Sequence, residues 1–178
     1  MVKKAAPPTK VGLAALGGKR FCQSGTVLAV DPSIGSANSM PGYALAQDGQ
    51  VVDSGILRIN PRDPHNKRLA AIQSQLRHLT PNPDVLVCEA IAPMLSVGGP
   101  NVIQLHWACG VIQATYPDAH TVLVPNQTWK KQIRDNNLTY VKSDEHDALM
   151  LLYTFFKLCN EEIANEDDVI IELAISKL

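Results

Sequence analysis

Apolar and polar positions change period several times along the chain, and each change marks a candidate element. The run TVLAVD at 26–31 is apolar almost throughout, with β-branched residues, the pattern of a central strand covered on both faces. It ends on an acid, Asp31. After the small-residue loop PSIGSANSMPG come YALAQ and VVDSGILRI, separated by Asp48-Gly49. An Asp-Gly pair between two apolar runs predicts a tight hairpin, so the first three strands are expected to form an antiparallel meander.

The period then lengthens. HNKRLAAIQSQLRHL puts Leu69, Ile72, Leu76 and Leu79 on one helical stripe with its basic residues off it, and TPNP ends the helix. DVLVCEAI is a second buried strand, closing near Glu89; NVIQLHWACGVIQATY is a helix opened by Asn101; HTVLVP is a further strand. Strand, helix and strand in succession imply parallel pairing. QTWKKQIRDNN is a short basic helix, and SDEHDALMLLYTF opens a greasy final one. The order β-β-β-α-β-α-β-α-α predicts an α/β fold: a mixed five-stranded sheet, three strands antiparallel and then parallel strands, with helices on both faces. A flexible basic arm over residues 1–24, a folded body over 25–158 and an acidic helical extension over 159–178 complete the expected organisation.

Composition narrows the class. A chain of 178 residues with 46% apolar and 19% charged residues fits one soluble globular domain. A net charge of −1 does not advertise nucleic-acid binding, but the signs are unevenly spread: Lys3, Lys4, Lys10, Lys19 and Arg20 lead, and Glu161, Glu162, Glu166, Asp167, Asp168 and Glu172 trail. Cys22, Cys88, Cys109 and Cys159 contain no C-x-x-C pair, so neither a zinc site nor a disulfide framework is expected, and reduced thiols are. With no apolar run near the roughly 20 residues of a membrane span, no membrane partner is expected and the cytoplasm is the expected compartment.

The acids carry the candidate chemistry. Asp144 and Asp147 share a helical stripe with Ala148, Leu151 and Phe155, the stripe that should face the core. Two readings stand: acids capping a helix that Ser143 opens, or carboxylates held for a cation, because burying unpaired carboxylates is costly. A sheet of this order can set the first and fourth strands side by side, with the late helix across the same crevice, gathering Asp31, Glu89, Asp144 and Asp147. Hard divalent cations such as Mg²⁺ favour such all-oxygen sets, and two ions about 4 Å apart activate water and stabilise the leaving oxygen of a phosphodiester. Each acid also has a plain alternative: Asp31 bonding a loop amide, Glu89 pairing with a lysine, the helix acids capping.

AVDPS, GYAL, VLVCEAI and SDEHDAL, in this order, resemble the RuvC-type Holliday-junction resolvases of the RNase H-like superfamily, over about residues 26 to 158. The resemblance implies an RNase H-like nuclease domain whose metal-holding catalytic acids are Asp31, Glu89, Asp144 and Asp147, with Mg²⁺ as cofactor and Mn²⁺ as an alternative. It implies a homodimer that cuts a four-way DNA junction in paired, symmetric nicks, and it matches Lys130 of VPNQTWKK to a DNA-contacting lysine. Three departures stand out. The loop after Asp31 is longer than the family's, Ala92 occupies the place of an aromatic wedge with Met94 nearby as a substitute, and the basic segment before the last helix is shortened to NNLTYV. Compact members of this kind are commonly phage or viral resolvases, some cutting branched DNA more loosely. A branch or flap nuclease and a non-catalytic junction-binding protein therefore stand as alternatives.

Lys131, Arg134 and Lys142, with Lys130, Lys67 and Arg68, are candidate phosphate contacts, or else a solvated basic face. Trp129, among these cations, is the expected base-stacking residue, and Trp107, on an apolar stripe, is expected in the core. His146 is a candidate accessory group near the acids, or an exposed first-turn histidine.

Overall fold

The computed structural model describes residues 24–35, 39–91, 100–138 and 140–164. The expected N-terminal arm, the wedge positions Ala92 and Met94, and the chain beyond Ala164 lie outside the described residues.

The elements run β1 (Thr26–Asp31), β2 (Gly42–Gln47), β3 (Gln50–Ile56), α1 (His65–Leu79), β4 (Val85–Ala90), α2 (Pro100–Thr115), β5 (His120–Pro125), α3 (Asn126–Asp135) and α4 (Asp144–Ala164). They form a five-stranded sheet in the order β3-β2-β1-β4-β5. β1 pairs antiparallel with β2 and parallel with β4, β2 pairs antiparallel with β3, and β4 pairs parallel with β5. The α/β class, the strand order and the change from antiparallel to parallel pairing are those the sequence pattern implies.

The hairpin shows why Asp-Gly was so legible. Asp48 and Gly49 both have positive φ, 50° and 77°, between the paired residues Gln47 and Gln50. That backbone suits the right-handed twist of the flanking strands. β3 stops at Ile56, short of the apolar run that continues to Ile59, yet Leu57 and Ile59 are still buried. Apolar content there records burial without strand pairing.

Period-two alternation on the central strands divides the core into two layers. Val27 and Ala29 of β1 and Val85 and Val87 of β4 pack with Ala148, Leu151 and Phe155 of α4 and Trp129 of α3. Leu28, Val30, Leu86 and Cys88 pack on the opposite face with Ile72 and Leu76 of α1 and Ile112 of α2. Both faces are therefore covered, and β1 and β4 need apolar residues at every position. Cys88 and Cys109 are free thiols, as expected, whereas Cys159 is disulfide-bonded, which corrects the expectation of uniformly reduced cysteines. Among the described residues no helix is long and apolar enough to cross a membrane.

Candidate active site

Strand parity carries the acids to one place. The parallel register of β1 and β4 runs from Val27 beside Val85 to Val30 beside Cys88. One step further lie Asp31 and Glu89. Both continue the odd-numbered positions whose side chains form the layer beneath α4. Asp31 is also the cross-strand partner of Gly42. A Cβ at Gly42 would overlap the carbonyl group of Asp144 and approach the Glu145 amide to 2.9 Å. The missing side chain lets the N-terminus of α4 rest on the sheet next to Asp31, and this brings Asp144 and Asp147 to the ends of β1 and β4.

Ser143 opens α4, with Asp144, Glu145 and Asp147 in its first turn. The Ser143 hydroxyl accepts the His146 amide at 3.2 Å, and the Ser143 carbonyl accepts the Asp147 amide at 3.0 Å. Ser143 is thus the cap, and the helix carboxylates point elsewhere. Asp144 accepts the Met40 amide at 2.8 Å and the Ser39 hydroxyl at 3.3 Å, tying the loop before β2 to α4. Asp147 accepts the Tyr140 hydroxyl at 2.6 Å. Glu89 accepts the Asn126 side-chain amide at 2.8 Å and the Trp129 indole N–H at 3.3 Å. Among the described residues no donor is bonded to the carboxylate of Asp31.

Electrostatics shows that the four acids share one neighbourhood. The Asp31 carboxyl is pushed up to about 8, first by burial and then by the negative charges of Asp147, Glu89 and Asp144, with Lys130 pulling the other way. Asp147 is also raised, by burial first and by Asp144, while its bond from Tyr140 and the charges of Lys130 and His146 oppose the shift. Burial, the bond to Asp147 and the nearby negative charge push the Tyr140 phenol up, so it stays a donor. Among the described residues no three acid, histidine or cysteine side chains already stand at metal-ligating distance. Asp31 is surrounded by the charges of the other three acids, and those three are turned onto protein donors. An all-carboxylate set with one opposing lysine fits a hard divalent cation, because the donors are oxygens and the local negative charge is under-compensated.

The expected contact residues divide. Lys130 lies 5.0 Å from the Trp129 ring centroid and acts on both Asp31 and Asp147, so it stands beside the acids. Arg134 and Lys142 are exposed, and Lys131 is exposed with a 3.8 Å contact to Asp135. His146 is partly buried, and its ring packs edge-on to Tyr140 at 5.3 Å.

Three expectations are corrected. Trp129 is only 1% exposed, so it is not open for base stacking, because α3 is wedged against α4 and turns this face inward. Trp107, expected in the core, is 51% exposed. Arg68 is buried, and its Nη1 donates to the carbonyls of Gly35 at 2.8 Å and Ile34 at 3.4 Å, so it braces the loop after Asp31 and is not a phosphate contact. Gly42, Asn126 and Tyr140 were not singled out by the sequence. Only the place of Asn126 at the opening of a helix that follows a strand without a loop offered any signal.

The sheet order, with its acids on adjacent strand ends and on the last helix, defines an RNase H-like fold. Among solved structures the chain is similar to "T. thermophilus RuvC in complex with Holliday junction substrate", with a TM-score of 0.58 and 15% identity, covering 74% of this chain and 94% of that one. A second, "Thermus thermophilus RuvC structure", gives a TM-score of 0.56 and 14% identity, covering 78% and 96%. The chain therefore has a RuvC-like fold. No protein-family model and no curated protein matches it.

Proposed function

We propose that this chain is a divalent-cation-dependent DNA endonuclease that hydrolyses phosphodiesters in branched DNA, with four-way junctions as the preferred substrate and a homodimer as the working unit. The observation that carries the reading is the gathering of Glu89, Asp144 and Asp147 close enough to the buried Asp31 carboxyl for all three charges to act on it, with Lys130 opposing them. Such a concentration of negative charge gives little stability to an isolated chain, whereas it suits a site that takes up Mg²⁺ or Mn²⁺. The RuvC-like fold, and the junction held by one of the similar structures, support the choice of substrate.

In this reading Asp31, Glu89, Asp147 and Asp144 hold the cation, which when bound supplies an activated water and charge stabilisation at the leaving oxygen. Asp31 is central because it lies between the β4 acid and the helix acids. Lys130 contacts the backbone phosphate next to the scissile bond, and Arg134, Lys131 and Lys142 add salt-dependent attraction. Two copies, each cutting one strand, would give the paired nicks that resolve a junction. The cytoplasm, of a bacterial host if the protein is phage-encoded, is the compartment this activity implies.

The test is cleavage of end-labelled four-way junction, flap and duplex DNA in Mg²⁺ or EDTA, beside Asp31→Asn. Paired symmetric nicks in the junction, absent in EDTA and in the variant while DNA binding persists, are expected. Flap cutting alone would instead assign a looser branch nuclease, and binding without cutting in Mg²⁺ would assign a junction-binding protein.

A further inference from the structure

The first turn of α3 grips Glu89 from two sides. β5 passes into α3 without a loop, Pro125 ending the strand and Asn126 beginning the helix, and Glu89 and Ala90 of β4 are paired with Val124 and Pro125. This junction sets the α3 N-terminus over the end of β4. Asn126 and Trp129, three positions apart and so on one helical face, each donate to a different oxygen of the same carboxylate: Asn126 Nδ2 to Oε1 at 2.8 Å and Trp129 Nε1 to Oε2 at 3.3 Å.

Among the described residues neither donor has a second acceptor. α3 is opened by Pro125 with no side-chain cap hydrogen bond, so the Asn126 side chain is not drawn back onto the helix backbone. Trp129 is 1% exposed and packs in the layer with Ala148, Leu151 and Phe155, so the core dictates where its N–H points. A buried indole N–H needs an acceptor, and here that acceptor is a carboxylate of the acidic cluster. One bond to each oxygen fixes the plane of the carboxylate but leaves further lone pairs free on both atoms. The next residue, Lys130, sits over the Trp129 ring and acts on Asp31 and Asp147.

We infer that Asn126 and Trp129 are positioning residues that hold the Glu89 carboxylate in the orientation needed for cation binding beside Asp31, and that the Trp129 indole senses whether Glu89 is occupied. The inference rests on the proposed cation-dependent function and concerns how that site is built. Outer residues that orient a ligating carboxylate typically govern about 10- to 100-fold of the affinity for the ion.

The chain has two tryptophans, so Trp107→Phe leaves Trp129 as the sole indole emitter. Titrating this variant with Mg²⁺ is expected to change Trp129 emission saturably, with the midpoint found by calorimetry, and Asp31→Asn in the same background abolishes the change. Trp129→Phe keeps an aromatic ring but removes the N–H, and Asn126→Ala removes the second donor. Each is expected to weaken Mg²⁺ binding by about tenfold while duplex binding in EDTA stays close to the parent's; Asn126→Ala also keeps the parent's melting temperature, whereas Trp129→Phe, in the packed core, lowers it. Should Trp129→Phe disturb packing, Asn126→Ala, on the partly buried face, carries the test alone.

Unchanged Mg²⁺ affinity in a folded Asn126→Ala, in a parent that cuts junctions, would overturn the clamp and leave the nuclease reading standing. Asp31-dependent Mg²⁺ binding that Asn126→Ala weakens, in a parent that cuts no DNA, would sustain the clamp and defeat that reading. A parent that binds no Mg²⁺ overturns both.

Discussion

Gly42 lies directly beneath the main chain of Asp144, so closely that a β-carbon on Gly42 would overlap the Asp144 carbonyl. Since Gly42 is also the cross-strand partner of Asp31, this single contact sets the distance between the strand acid and the helix acids. Gly42→Ala should displace the first turn of α4, destabilise the chain by about 2–4 kcal/mol and abolish cation-dependent cleavage. Thermal melts paired with a cleavage assay would show it; a variant as stable and active as the parent would mean that α4 has room to shift.

The charge state of Asp31 predicts a pH signature of folding. Its carboxyl is raised in the folded chain to about 8, from an ordinary 3.8, so the folded state binds the extra proton and the contribution to stability is greatest at acid pH. That contribution is lost as pH rises from about 4 to 8. In EDTA, Asp31→Asn should therefore stabilise the chain at pH 8, by about 2 kcal/mol, and far less at pH 5. Denaturant unfolding at the two pH values measures the difference, and the gain at pH 8 should shrink when Mg²⁺ is added, since the cation stabilises only the carboxylate form.

Tyr140→Phe addresses Asp147. The phenol donates to the ionised carboxylate and so lowers a pKa that burial and Asp144 raise. Without the donor the carboxylate protonates more readily, and the acid limb of the cleavage rate should move to higher pH. Single-turnover rates between pH 6 and 9 provide the check; coincident profiles for variant and parent would separate Tyr140 from the site.

Arg68 and Lys130 should respond in opposite ways. Arg68→Met removes a buried guanidinium that braces Ile34 and Gly35, and a cost of about 2–3 kcal/mol in stability is expected, with the salt dependence of duplex binding unchanged. Lys130→Ala should leave stability nearly intact and reduce the slope of log K against log salt by about 0.9. Chemical denaturation and binding at several salt concentrations distinguish the two.

These residues also show what local pattern encodes. Alternation and register depend on near neighbours, so Asp31 and Glu89 could be placed on strand ends, and the Asp48-Gly49 turn read, without any knowledge of tertiary contacts. Arg68 misled because it was read by its charge, although it lies four residues before Ile72 and so on the buried stripe. The tryptophans were exchanged because periodicity gives a helix an apolar face but not the neighbour it meets: α3 is wedged against α4, while the Trp107 side of α2 faces outward. Gly42 was visible only as the first letter of GYAL, and its role was not, for its constraint comes from the main chain of Asp144, distant in sequence.

Anomalous diffraction from crystals of the chain grown with Mn²⁺ would show whether Asp31, Glu89, Asp144 and Asp147 together hold a hard cation. A manganese peak is expected about 2.2 Å from an Asp31 oxygen, with Glu89 or the helix acids completing its ligands. Manganese bound elsewhere, with the Asp31 carboxylate left without an ion at saturating metal, would contradict it.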